Sequence, residues 1–323
     1  MNTVSAAGSE FGAAVHDVLA GADVPGAARR WADGDRGPGL ALWRRLAGLG
    51  VTALAVPEKR GGLGASPLDL VVACEELGHH PLPGPVAESL AAVPVLLAGT
   101  GLGDDWLAGL AAGDLIATLA MPPWLPYAAD AEAAGLVLLA ADGTVSRARP
   151  GTRHRSADPA RSLSEAGGGE VLARDAGAVR VLDFGALACS AQLLGAGRAL
   201  LEASVRHASV RTQFGRPVGV FQAVKHRLAD VAIGLEFARP LLDAAAVALS
   251  AGGGTAARDV SAAKVACADA AYRAARAALQ VHGAIGYTAE HDLSLWLAKV
   301  RALVPAWGTQ AGHRARVMRE LSG

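Results

Sequence analysis

Aromatic side chains are few: they make up 4% of the 323 residues. A core short of large rings must be filled by small side chains, which suits closely packed helices better than a β-sandwich. Net charge is absent, with 30 basic residues against 30 acidic ones. That balance excludes a bulk electrostatic attraction to nucleic acid or to a membrane surface. Cysteine is nearly absent. Cys74, Cys189 and Cys267 stand far apart, odd in number and in apolar surroundings. They offer neither a disulfide framework nor metal-ligand spacing, and they read as buried, reduced thiols. No metal site is read from the chain. No apolar run is long enough to span a bilayer. The first residues, MNTVSAAGSEFGAAVHD, lack the basic-then-apolar order of a signal peptide. The expected location is the cytoplasm.

Apolar material is plentiful, at 52% of the chain, and alanine and glycine dominate it. The length suits two or three structural units. Three zones separate by texture. The first, residues 1–113, mixes helical patterns with turns. PLDLVVACEELG, residues 67–78, has proline in a first helical turn and Gly78 as a stop. The second zone, residues 114–183, holds short apolar runs (IATLAM, GLVLLA, EVLA) punctuated by DGT, PGT and GGG, and reads as a small β unit. The third, residues 184–323, is strongly helical. Val224, Leu228, Val231, Leu235, Ala238 and Leu242 form one apolar seam; Val260, Ala263, Cys267, Ala270, Ala274, Ala277 and Val281 form another. Pro240 interrupts the first seam and predicts a kink, and the glycines at 252–254 predict a break between two long helices. The expected fold is mainly α with a small β domain (α+β): helices, a short β unit, then a four-helix bundle.

The sharpest segment is RTQFGRPVGVFQAVKHRLAD, residues 211–230. A turn carrying Arg211, Gln213, Phe214, Gly215 and Arg216 leads into an amphipathic helix. It offers cations for phosphate, an aromatic face for stacking and amides for hydrogen bonds. As a block it resembles the R-x-x-F-G turn of the acyl-CoA dehydrogenase family, followed by that family's glutamine at a helix start. VPEKRGGLG (56–64), ACEELG (73–78), LLGAGRALLEASVRHASVR (193–211) and QVHGAIGYTAEHDL (280–293) resemble further family segments, in the same order and at similar spacing. The chain is similar to short actinobacterial members, including subunits of heteromeric steroid and acyl-CoA dehydrogenases.

The resemblance implies FAD held between subunits and an acyl-CoA thioester substrate. In the family's reaction a carboxylate removes the α-proton while the β-hydrogen leaves as hydride to the flavin. Carried over by motif, Arg211 contacts the pyrophosphate, Phe214 lies near the adenine side, Gln222 touches the nucleotide, and Gln280 and Gly283 belong to the same cross-subunit contact. Thr309 matches a flavin-contacting threonine. Ala284 replaces the family's second glycine.

Two departures concern the chemistry. Where many members carry Y-E-G-T, with glutamate as the base, this chain reads PAWGTQ (305–310), with Trp307 at the glutamate position. An indole N–H only donates and takes up no proton. The alternative family position for the glutamate holds Ala251. Glu290 and Asp292 are weak candidates for a base, with solvated helix-start residues as the favoured reading. In place of the family's T-E-P-x-x-G-S-D segment stands TLAMPPWLPYAADA (118–131), where Trp124 and Tyr127 are read as core residues before flavin contacts. SADPAR (156–161) resembles a segment of the shortened members. His79 and His80 read as surface residues, and Glu75 and Glu76 as ion-pair partners.

The expected function is FAD-dependent α,β-dehydrogenation of an acyl-CoA, as one subunit of an α2β2-type heteromer with a homologous chain, or with a second copy of itself. An electron-transfer flavoprotein or similar acceptor would take the electrons. The alternative is a non-catalytic acyl-CoA-binding or structural subunit, or a biosynthetic member acting on carrier-bound acyl thioesters.

Overall fold

The computed structural model describes residues 6–174 and 178–322. Six α-helices come first among the described residues: α1 (Ala6–Ala20), α2 (Val24–Ala32), α3 (Gly37–Gly48), α4 (Pro67–His79), α5 (Val93–Thr100) and α6 (Asp104–Ala112). The α4 start is fixed by its sequence. Ser66 and Asp69 cap each other's backbone amides, and Pro67 fills the first turn, where no N–H is needed.

Gly78 does not end α4, which runs on to His79. A methyl at Gly78 would collide with the backbone of Gln192, and one at Gly195 with the carbonyl of Glu75. These two glycines let α4 and α7 (Ala178–Val210) cross at backbone distance. The residue read as a stop signal is a close-approach glycine.

The β unit is one five-stranded sheet in the order β1-β3-β4-β5-β2. Its strands are β1 (Ala117–Ala120), β2 (Ala128–Ala129), β3 (Leu136–Ala141), β4 (Thr144–His154) and β5 (Leu163–Arg174). β1 pairs parallel with β3, and β3–β4 and β4–β5 pair antiparallel. The three apolar runs lie in β1, β3 and β5. The sheet ends at Arg174 and α7 has begun by Ala178, whereas residues up to 183 were expected in the β unit. Val179, Val181 and Leu182 suit a strand or a buried helix equally, and a short apolar run does not decide between them.

The segment at 156–161 ties the sheet to the first helices. Arg161 reaches Glu88, which is 3% exposed, and Ser162 donates its N–H to Asp130 at 2.9 Å. Trp31 of α2 donates its indole N–H to the same carboxylate. Burial raises the Asp130 carboxyl to about 6, against the lowering pull of the Ser162 amide and Arg161.

α7, α8 (Gln222–Ala251) and α9 (Ala256–His282) form the bundle core, with α10 (Leu293–Leu303) packed on α7 and α9 and α11 (Gln310–Ser322) on α9. α7 is long and apolar enough to cross a membrane, but 89% of its apolar stretch is buried within the fold. From Val260 to Ala277 every residue of the alanine-rich seam is buried. Gly197 admits Leu235 and Ala271 so closely that an added methyl would lie 2.6 Å from the leucine. Helix α8 continues through Pro240 and ends at Gly252, whose φ of 64° is left-handed. Cys74, Cys189 and Cys267 are buried and unpaired, and burial pushes all three thiols up.

Candidate functional site

The residues expected to face a nucleotide share one end of the bundle. β6 (Thr212–Gln213) and β7 (Arg216–Pro217) form a two-stranded hairpin between α7 and α8. Its base is tied by backbone bonds: Arg211 N–H donates to His207, and Val218 N–H donates to Arg211, at 2.9 and 2.8 Å. At the tip, Phe214 and Gly215 have φ of 54° and 79°. Phe214 is 91% exposed, and its ring meets that of Phe221 edge-on at 6.1 Å. Arg216 stacks over Phe221 at 4.6 Å. Arg211 is exposed, and its side chain makes no ion pair among the described residues. Gln222 is the exposed first residue of α8.

At the end of α9, Gln280 and Gly283 are also exposed, and Gly283 has φ of 65°. Ala284 is exposed too, so its methyl crowds nothing within this chain. His207, in the last turn of α7, stacks on His282 at 4.2 Å, and His282 meets His291 at 5.4 Å. That ring contact sets the hairpin beside the 280–287 turn. Burial first, then the neighbouring Arg211 and His291, lowers the pKa of His207. Glu290 is exposed. Asp292 is committed to an ion pair with Arg29 of α2 at 2.7 Å.

The residues expected to face the flavin ring are arranged differently. Trp307 has a φ of 58° and is 0% exposed. Its ring lies against Gly185 of α7, where a methyl would collide with it. The indole N–H is buried without a hydrogen-bond partner. Trp124 from the β unit lies on the following turn: a methyl at Gly308 would come within 2.6 Å of its ring. Trp124 also meets the His313 ring at 5.4 Å, and Tyr127 meets His154 at 4.8 Å. Both aromatics therefore pack within the chain. The Thr309 hydroxyl accepts from the Gly312 amide at 3.1 Å and so caps α11. Ala251 is exposed at the end of α8.

His313 lies beneath this turn. Its Nε2 donates to the Trp307 carbonyl at 2.8 Å, and its Nδ1 accepts from Ser261 at 3.1 Å. Burial, opposed by the Trp307 carbonyl, lowers its pKa to about 4, which keeps the imidazole neutral. Arg316 and Asp183, both buried, pair at 2.5 Å beside it. The pattern gave no sign of this polar network.

Against the FAD that the motifs imply, the two sides differ. The nucleotide side fits: an exposed guanidinium, an exposed ring and two exposed amides surround a glycine turn open to an anion. The ring side does not fit within this chain, because Trp124 already covers Gly308 and Trp307 points into the core.

Outside both regions, Glu75 holds Arg198 and Arg239 in a part-buried cluster. His79 and His80 are not surface residues. The His79 side chain is 12% exposed, and His80 is half-buried against His16.

The description "Acyl-CoA dehydrogenase, N-terminal domain" matches residues 6–114, and "Acyl-CoA dehydrogenase, C-terminal domain" matches residues 176–322. The acyl-CoA dehydrogenase IpdE2 of Mycobacterium tuberculosis is 33% identical over 85% of this chain and 85% of its own length. Among solved structures, the ChsE4–ChsE5 complex from Mycobacterium tuberculosis covers 100% of this chain and 99% of its own, with a TM-score of 0.86 at 24% identity. The Tcur3481–Tcur3483 steroid acyl-CoA dehydrogenase G363A variant covers 99% of both chains, with a TM-score of 0.87 at 21% identity. The two domain matches on either side of the sheet, with a relative that is one-third identical along most of the length, place this chain in the acyl-CoA dehydrogenase family.

Proposed function

We propose that this chain is one subunit of a heteromeric acyl-CoA dehydrogenase and lends its 211–222 hairpin arm to FAD held mainly by an unlike, homologous partner. The family's members are FAD flavoproteins acting on acyl-CoA thioesters. The flavin supplies the hydride acceptor when bound. The carrying observation is the contrast at the cofactor site: the arm is exposed and unengaged, while Trp124 and Trp307 close the ring side from within.

In this reading Arg211 pairs with the pyrophosphate, and Phe214 offers a stacking face. Gln222 and Gln280 supply amides, and the Gly283 turn gives the cofactor a close approach. Thr309 is a helix cap here and is not among the cofactor contacts in this reading. The proton-accepting carboxylate comes from the partner, since Trp307 and Ala251 supply none. Glu290 stays solvated and Asp292 stays paired with Arg29, both outside the reaction. An electron-transfer flavoprotein or similar acceptor takes the electrons, and the complex works in the cytoplasm.

A docking face for that partner supports the reading. An open groove of about 900 Å³ runs between α8 and α9. On it Phe237, Ile233 and Tyr272 are 73%, 52% and 47% exposed. Apolar side chains clustered this way mark an interaction surface. The two heteromeric solved structures named above share this chain's fold. The 156–161 segment agrees with the shortened members.

Turnover tests it. The chain mixed with the homologue from its own gene neighbourhood should dehydrogenate acyl-CoA in the presence of an artificial electron acceptor, while each alone should not. Full activity from this chain alone would sink the heteromer. A flavin-free, acyl-CoA-binding complex would shift the role to a non-catalytic subunit.

A further inference from the structure

A second cluster of chemistry-bearing side chains lies away from the arm and from the Trp307 turn. His16 of α1, Glu76 and His79 of α4, and His80 just beyond it bring one ligand atom each within 4.8 Å of one another. Glu76 and His79, three residues apart, share one face of the α4 end, and His80 follows as its extended C-cap residue. The fourth crosses from α1, sixty residues earlier.

Proton counting shows that these groups are poorly served by one another. His16 Nδ1 lies 2.9 Å from Glu76 Oε2 and 3.3 Å from His80 Nε2. A proton on His16 Nδ1 leaves the carboxylate and the His80 nitrogen sharing it. A proton on His80 Nε2 leaves the Glu76 oxygen facing a bare nitrogen. His79 adds a third lone pair. Its Nε2 lies 3.0 Å from Glu202 Oε2, so that N–H is given away, and its Nδ1 is buried without a partner. The cluster therefore holds more lone pairs than protons.

The surroundings suit a cation. The Glu76 side chain is 11% exposed and that of His79 is 12%. Arg198 binds the other oxygen of Glu76, at 3.1 Å, and leaves Oε2 to the cluster. Glu75 in turn pairs with both Arg198 and Arg239. Glu202 stands behind His79 as the carboxylate that orients a ligating histidine. An open cleft of about 640 Å³, lined by His16, Glu76 and Arg198, gives an ion a way in.

We propose that His16, Glu76, His79 and His80 form a binding site for a divalent transition-metal ion of the zinc class, fastening α1 to α4. Nitrogen and carboxylate ligands are the set zinc takes. Tetrahedral bonds of about 2.0–2.1 Å put ligand atoms roughly 3.3 Å apart, so rotation of the half-exposed His16 side chain closes the site on the ion. The role is structural, because four protein ligands fill a tetrahedral zinc and leave it no open position.

The test uses the full chain, stripped with a chelator and titrated with zinc chloride by calorimetry, with magnesium chloride as the control. The site predicts one zinc per chain, no comparable response to magnesium, and a rise in Tm on loading. His16→Gln should weaken zinc binding by at least about tenfold with the helical signal unchanged, and Glu202→Gln should weaken it about tenfold. His79→Gln should abolish binding; if that variant fails to fold, His16→Gln carries the test. No zinc uptake, or equal uptake by wild type and the His16→Gln variant, overturns the site. The outcome is independent of the heteromer, since no partner is present in the titration.

Discussion

Phe214 and Trp307 carry aromatic rings on left-handed backbone, with φ of 54° and 58°, and both lie in motifs of the same family. There the likeness ends. Such a conformation costs a bulky residue on the order of 1–3 kcal/mol. At Trp307 the structure offsets that cost, because the ring is wholly buried against Gly185. At Phe214 the described residues offer little in return: the ring stands 91% exposed at a hairpin tip and meets Phe221 edge-on at 6.1 Å. One strained aromatic serves this chain's own core. The other points to something outside it.

The largest test of that contrast is a pair of truncations. Trp307→Ala removes a buried indole and should cost about 3–5 kcal/mol of stability, read by chemical or thermal unfolding. Phe214→Ala should leave the isolated chain within about 0.5 kcal/mol of wild type. Equal losses would erase the distinction between the two regions. Next, Arg211→Ala should weaken FAD retention in the assembled complex by about 10–100-fold, the worth of a charge-assisted phosphate contact, with an unaltered Tm for the chain alone. Flavin release measured by fluorescence checks this, and unchanged retention would remove the arm from the cofactor. Gly185→Ala sharpens the other side: its methyl meets the Trp307 ring and should cost about 1–3 kcal/mol through overpacking.

The smallest expected effect is on pH dependence. His313 has a folded pKa of about 4 against an ordinary 6.5, lowered chiefly by burial. The unfolded chain therefore binds more protons between those values. The stabilisation is fully present above 6.5 and is lost as pH falls through that window toward 4. His313→Gln should flatten the acid limb of a Tm-against-pH profile. A limb as steep as wild type would mean that His313 is not the group that titrates.

Much of the fold was legible because its periods are plain. The alanine seam of α9 and the short runs of the sheet lie where the pattern placed them. Gly78 misled because a helix stop and a close helix crossing both call for glycine, and only the approach of Gln192 tells them apart. The arm was legible as a motif. The fate of the ring side was not. The pattern showed that a glutamate was missing at 307; it could not show that Trp307 would turn into α7 or that Trp124 would cover Gly308. The His16 cluster was beyond local reading for the same reason. The Glu76, His79 and His80 spacing was visible, but its fourth member arrives only when α1 packs on α4.

The most direct measurement is the visible absorbance spectrum of the purified chain, taken alone and after co-purification with its unlike homologue. The account predicts no flavin band from the chain alone, an FAD spectrum from the pair, and loss of that spectrum when this chain carries Arg211→Ala. A homo-oligomer of this chain with a full complement of FAD would contradict it.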